Sequence, residues 1–296
     1  MNSALWGNLC ALSLGGADFI ARFSSRGIGA ANALLGMLLV GSTVLTLWAV
    51  FGGPPLVWRW DGAWLIALNG AATTAMTLLL YLGLARGPVS VVAPIVAAHP
   101  ALVVAFAVAF GSRPTTVQWA AMAATIAGAA IVALAARAEE PAVTEPAKRG
   151  GLPLTILIAV ASAFAYAALI LAGQAAVPIY GEFQTLWLGR CCSVVALALI
   201  MAAGRKRPRL KRRWWPVLAA QGLLDAAGYL FLFAGSHGDN PEIAAVAGSA
   251  FGAVTTLLAW IVLRERIGFL QWCGIAIVFA GVVVLSLTQA QDAPAM

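Results

Sequence analysis

Charged side chains are scarce in this chain. Asp, Glu, Lys and Arg together make up 10% of 296 residues, whereas soluble domains carry about 25%. That shortage excludes a water-soluble fold of this length, whose surface would lack polar cover. Histidine is nearly absent, with only His99 and His237. No H-E-x-x-H or G-x-S-x-G pattern occurs, so an intramembrane enzyme has no visible machinery, and no enzymatic activity is expected. No G-x-x-x-x-G-K-[ST] sequence occurs either, which leaves no nucleotide site to drive a pump. The cysteines Cys10, Cys191, Cys192 and Cys273 show neither zinc-like spacing nor a disulfide framework. They read as small buried fillers, and no metal or cofactor is expected.

Hydrophobic residues make up the difference, at 62% of the chain with a mean hydropathy of +0.91. They fall into stretches of about 20 residues, the length of helix needed to cross roughly 30 Å of hydrocarbon. The pattern predicts an all-α integral membrane protein with ten transmembrane helices. The first five are expected near Leu5–Ala21, Ala30–Phe51, Gly62–Ala85, Val89–Phe110 and Thr116–Ala136. The second five are expected near Pro153–Val177, Phe183–Ala203, Trp214–Ser236, Pro241–Leu263 and Ile267–Thr288. The first stretch is not expected to be a signal peptide, since it lacks a positive n-region, carries Asp18 and has no clear cleavage context before the next span. Trp58, Trp60, Trp64, Trp214 and Trp215 sit at span ends, as an aromatic belt does.

The net charge of +7 does not imply nucleic acid, because the cations sit in short loops between spans. Loops after the odd-numbered helices hold Arg22 and Arg26, Arg86, then Arg137, Lys148 and Arg149. They also hold the Arg205–Arg213 run with its seven cations, and Arg264 and Arg266. The other side holds only Arg59 and Arg113. The positive-inside rule puts the basic loops in the cytoplasm and both termini outside, in a bacterial inner membrane. The Arg205–Arg213 run is expected to touch anionic lipid headgroups.

The chain repeats itself. Gln118-Trp119…Ala127-Gly128 and Gln271-Trp272…Ala280-Gly281 stand 153 residues apart, as do Arg113 and Arg266. Residues 1–137 form the first five-helix repeat, 138–152 a polar linker with Glu139, Glu140, Pro141, Glu145 and Pro146, and 153–296 the second repeat. An odd number of spans per repeat forces the second copy to enter the membrane from the opposite side. Two inverted repeats around a central cavity are the design of alternating-access transporters.

These residues also carry a family resemblance. Gly87-Pro88-Val89-Ser90-Val91-Val92-Ala93-Pro94 opens a helix that ends before Gln118-Trp119…Ala127-Gly128, and the second copy closes with Leu263-Arg264-Glu265-Arg266 and Gln271-Trp272…Ala280-Gly281-Val282. The chain resembles the EamA branch of the drug/metabolite transporter superfamily over essentially its whole length. The resemblance implies ten helices around a cavity, alternating access, and amino acids, related metabolites or drugs as substrates. It identifies Glu265 as the family's acidic turn residue, while the first copy has Ser112 there. Family members are often drawn with both termini in the cytoplasm; the charge count here argues the reverse.

Ionisable groups inside a bilayer are costly and line cavities or pair up. Asp225 lies near mid-membrane, about 17 Å from Trp214 at roughly 1.5 Å per residue, where it can hold an ammonium, carry a proton, or pair with Arg190. Arg190 can grip a carboxylate with two parallel bonds or snorkel to the headgroups. Asp18 either pairs with Arg22 at i+4 or faces the cavity. His99, between the hinge candidates Pro94 and Pro100, is either a proton relay or a hydrogen-bonded structural group. Gln221, Asp225 and Tyr229 share one face of their helix, and Tyr81, Tyr166 and Trp187 are further wall candidates. Gly248 and Gly252, four residues apart, permit close helix contact.

The function expected from all this is a secondary transporter, an exporter of amino acids or related small metabolites or drugs. A lipid flippase or passive channel is the alternative. The expected partners are a small-molecule substrate and membrane lipids, with the chain as a monomer or weak homodimer.

Overall fold

The structure, a computed structural model, describes residues 3–109, 115–138, 151–205, 207–236 and 247–292. The linker residues from Glu139 to Arg149 and the Ser112-Arg113 turn lie outside the described residues. So do Lys206, His237 and the expected helix start at Pro241.

The described residues are helical, with no strand among them. In chain order the helices are α1 (Ser3–Ile28), α2 (Ala30–Phe51), α3 (Ala63–Arg86), α4 (Val89–Ala97), α5 (His99–Ala109), α6 (Thr116–Ala138), α7 (Gly151–Tyr180), α8 (Glu182–Ala203), α9 (Trp215–Ser236), α10 (Phe251–Leu263) and α11 (Phe269–Asp292). Among the described residues seven segments are long and apolar enough to cross a membrane, with α4 and α5 counted as one. The expected ten are therefore met only in part. α10 and the Phe269–Leu285 stretch of α11 are apolar but shorter, and α1 carries Asp18, Arg22 and Arg26.

Three expected elements differ in the structure. α1 continues to Ile28, so Arg22 and Arg26 stand on its last turns rather than in a loop. The expected fourth helix breaks at Ala98 (φ −76°, ψ 0°) into α4 and α5. Of the expected ninth helix only residues 247–263 are described; they are interrupted at Ala250 (φ −74°, ψ 3°), after which α10 starts. The two breaks stand 152 residues apart and have the same hydrogen-bond pattern. Ala98 N–H donates to Ile95 O (3.3 Å) and Ala98 O accepts from Ala101 N–H (3.1 Å), while Ala250 N–H donates to Ala247 O (3.2 Å) and Ala250 O accepts from Ala253 N–H (2.9 Å).

The connectors are also duplicated. One residue joins α1 to α2 and one joins α7 to α8: Gly29 (φ 86°) and Gly181 (φ 76°). Only glycine enters that backbone region without a Cβ penalty. Packing follows the same exchange. α1 lies on α9 as α7 lies on α3, and α2 lies on α9 as α8 lies on α3. α4 crosses α10 and α6 crosses α11. At the last crossing a Cβ on Gly128 would sit 2.8 Å from Gly274 O, and one on Gly274 would sit 2.9 Å from Gly128 O. The two backbones touch because neither residue has a side chain.

The basic segments gather at one end of the bundle. Arg26 donates to Ala85 O (3.1 Å) and Gly87 O (3.4 Å). Arg209 N–H donates to Asn32 Oδ1 (2.9 Å), and Trp214 packs on Gly27. The other end is tied by the α2–α3 loop, where Val57 N–H donates to Gln184 Oε1 (2.8 Å) and Tyr180 OH donates to Arg59 O.

Candidate functional site: a chamber with a charged floor

A cavity of about 480 Å³ lies between helices of both halves, within the size range of pockets that hold small ligands. It extends to the α7–α8 turn, where Val177 and Glu182 line it, and runs inward to His99, Tyr166, Phe251 and Arg190. A recess of about 30 Å³ lies beyond it, lined by Asp18, Tyr81, Arg190, Asp225 and Tyr229. That is room for about one or two waters.

The floor of the chamber is charged. Arg190 Nη2 donates to Asp225 Oδ2 at 2.9 Å, and its guanidinium carbon lies 4.9 Å from the centre of the Tyr229 ring. Arg190 is only 5% exposed, so it does not snorkel. Its charge is held in place by a carboxylate and an aromatic face. Asp18 lines the same recess and forms no ion pair among the described residues. The expected i+4 pairing of Asp18 with Arg22 is not formed: Arg22 points away from the chamber and binds Glu265. Two carboxylates thus face one guanidinium.

The chamber wall is aromatic. The His99 ring stacks on Tyr166 with centroids 3.7 Å apart and planes 7° apart, and Phe251 lies 6.2 Å from Tyr166. His99 Nδ1 contacts Val96 O at 3.2 Å, across the break at Ala98. Pro94 and Pro100 flank that break, one in each half-helix.

Two of the sequence candidates stand elsewhere. Gln221 shares the Asp225 and Tyr229 face but is fully buried behind the recess. Its amide donates to Tyr81 OH (2.6 Å) and accepts from Ser24 Oγ (2.7 Å). Trp187 donates to Thr46 Oγ1 (3.0 Å), joining α8 to α2, and lines neither cavity.

The structure adds residues that the sequence reading passed over. Asn69 and Thr73 line the chamber from α3. Asn69 Nδ2 donates to Leu169 O at 3.1 Å and Thr73 Oγ1 donates to Asn69 O at 2.8 Å. Asn69, Thr73 and Thr77 recur every four residues along α3, and that polar stripe was the available signal. Cys10, read as a filler, lines the chamber from α1.

Comparisons with known proteins agree with this architecture. The model of the EamA-like transporter family matches twice, over residues 1–134 and 153–287. A solved crystal structure superposes with a TM-score of 0.64 at 19% identity, covering 97% of this chain and 99% of its own. That likeness is one of fold. No curated protein matches the chain in sequence. Both family matches fall on the two halves that enclose the chamber, and the chain belongs to the EamA-like transporter family within the drug/metabolite transporter superfamily.

Proposed function

We propose that the chain is a secondary transporter that moves a small amphipathic solute through the chamber by alternating access. Its ten spans, in this reading, form two inverted five-helix repeats, 1–137 and 153–296, joined by the linker 138–152. The duplicated glycine connectors, the duplicated breaks and the exchange-related packing support that organisation. The basic loops face the cytoplasm of a bacterial inner membrane with both termini outside, and the chain acts as a monomer or weak homodimer.

One observation carries the reading of the site: Asp18 and Asp225 share a recess with a single cation, Arg190. With both carboxylates ionised the floor has one uncompensated negative charge in a low-dielectric setting. A proton or the ammonium of an amino acid or related metabolite balances it. Competition between the two would couple solute export to an inward proton gradient. The stacked His99–Tyr166 wall suits a flat or apolar body on that solute.

The test begins with a thermal-shift screen of amino acids, nucleobases and cationic amphiphiles on purified protein, where a ligand stabilises by mass action. Flux of the stabilising solute is then measured in proteoliposomes for the wild type and Asp18→Asn. Asp18 has no ion-pair partner to strand among the described residues, so the variant is expected to fold normally and to lose gradient-driven flux. Unchanged flux would remove the carboxylate pair from the mechanism.

A further inference from the structure

The end of the bundle away from the α7–α8 turn is held by a contact among distant segments. α4 begins at Pro88, which supplies no side-chain cap. Its N-terminus is buried, and all nine residues Val89–Ala97 are buried. The first N–H groups of a helix have no partner within it. Val91 and Val92 donate to Pro88 O at 3.3 and 3.2 Å, which leaves Val89 and Ser90. Both donate to one carboxylate from another part of the chain: Val89 N–H to Glu265 Oε1 at 3.1 Å and Ser90 N–H to Glu265 Oε2 at 3.0 Å. Arg22 of α1 closes on the same carboxylate.

The chain is built to aim Glu265 there. α10 ends at Arg264, which adopts a left-handed conformation (φ 52°, ψ 37°) and returns its N–H to Ala259 O. That helix-ending turn places the next residue across the α4 N-terminus. A negative charge at this position complements the helix dipole, and the guanidinium compensates the charge in turn.

We infer that Glu265 is a positioning residue for transport: with Arg22 it latches the α4 N-terminus and closes the end of the chamber opposite the α7–α8 turn. The inference rests on the alternating-access reading above. α4 is the segment suited to move. It is a nine-residue half-helix, bounded by Pro88 at one end and the break at Ala98 at the other. Its far end meets the break of the other half, where a Cβ on Gly252 would lie 2.8 Å from Ala97 Cβ. Releasing the latch frees the N-terminus of α4 and opens the recess from the Glu265 side. Binding the latch again seals that side.

The test uses side-specific labelling, which needs no identified solute. Leu80 lines the recess from α3, toward the Glu265 end. Leu80→Cys is placed in full-length protein carrying Cys10→Ser, Cys191→Ser, Cys192→Ser and Cys273→Ser, in vesicles of known orientation. A membrane-impermeant maleimide is then added to one side at a time. Glu265→Ala is expected to raise labelling from the Glu265 side about tenfold, the scale of a lost charge-assisted contact. Arg22→Gln, which leaves the carboxylate on α4, and Glu265→Gln should give smaller increases of the same sign. A lower melting temperature with unchanged side-specific labelling in all three would make Glu265 a permanent cap and overturn the inference. If Glu265→Ala fails to fold, Arg22→Gln and Glu265→Gln decide by the same readout. Equal labelling from both sides in the parent would strike the alternating-access reading itself, so the two failures are distinct.

Discussion

Arg190 Nη2 lies 2.9 Å from Asp225 Oδ2, joining α8 to α9 at the floor of the chamber. The pair shapes what a substitution can report. Asp225→Asn removes the carboxylate that Arg190 bonds directly and leaves only Asp18 in the recess to balance it; breaking a buried pair costs up to about 3–5 kcal/mol. The variant is expected to melt markedly lower in detergent as well as to lose flux. Arg190→Met combined with Asp225→Leu should recover most of the melting temperature and none of the flux. Thermal unfolding and proteoliposome flux, measured on both proteins, separate the two roles.

Gln221 offers the opposite case. Its amide is spent on Tyr81 and Ser24. Gln221→Leu takes the amide donor from the Tyr81 hydroxyl, at about 1–3 kcal/mol, and leaves Ser24 Oγ with Ala21 O alone (3.3 Å), so the melting temperature should fall. The stabilisation produced by a solute found in the thermal-shift screen should persist, because the residue lines neither cavity. Loss of that stabilisation would place Gln221 in contact with the solute.

The His99–Tyr166 stack distinguishes a flat wall from a proton relay. His99→Phe keeps a planar ring against Tyr166 and removes the titratable nitrogen. Solute-induced stabilisation is expected to survive in His99→Phe and to weaken in His99→Ala, the stack being worth about 0.5–1.5 kcal/mol. Equal loss in both would show that the imidazole itself is required.

The Gly128–Gly274 contact is a packing test outside the site. Gly128→Val drives a branched side chain against the backbone of α11, 2.8 Å from where its Cβ would stand. A cost of about 1–3 kcal/mol is expected from overpacking, read as a fall in melting temperature. Gly16→Ala, whose Cβ would be 3.5 Å from Leu224, should change it little.

Much of the fold was legible because the bilayer leaves so few choices. Apolar length set the helix positions to within a few residues, as at Ala30–Phe51 and Trp215–Ser236. The 153-residue repeat was visible in Gln118-Trp119 and Gln271-Trp272. Its first copy has a local cause: Gln118 Oε1 accepts from Thr115 N–H at 2.8 Å while Gln118 N–H donates to Thr115 Oγ1 at 3.3 Å, a reciprocal helix cap. Glycine connectors at Gly29 and Gly181 were not legible, because thirty glycines offer no way to single out two. The break at Ala98 lies between the hinge candidates Pro94 and Pro100, whereas the break at Ala250 was hidden, since alanine is not unusual in a helix.

Among the polar residues, depth along a helix could be read but direction could not. Asp225, Tyr229 and Gln221 share one helical face, yet two reach the recess and the third is sealed behind it. Asp18 and Arg22 are spaced for a pair, yet Arg22 bonds Glu265 of the other half.

The sequence by itself determined that this is a helical membrane chain made of two like halves, because transfer into lipid depends on composition and length summed over a segment. Tertiary structure alone decided which charges meet, which polar groups face the chamber and which carboxylate caps α4. Those outcomes depend on distances of a few ångströms between segments as far apart as residues 22 and 265, and no local pattern encodes them.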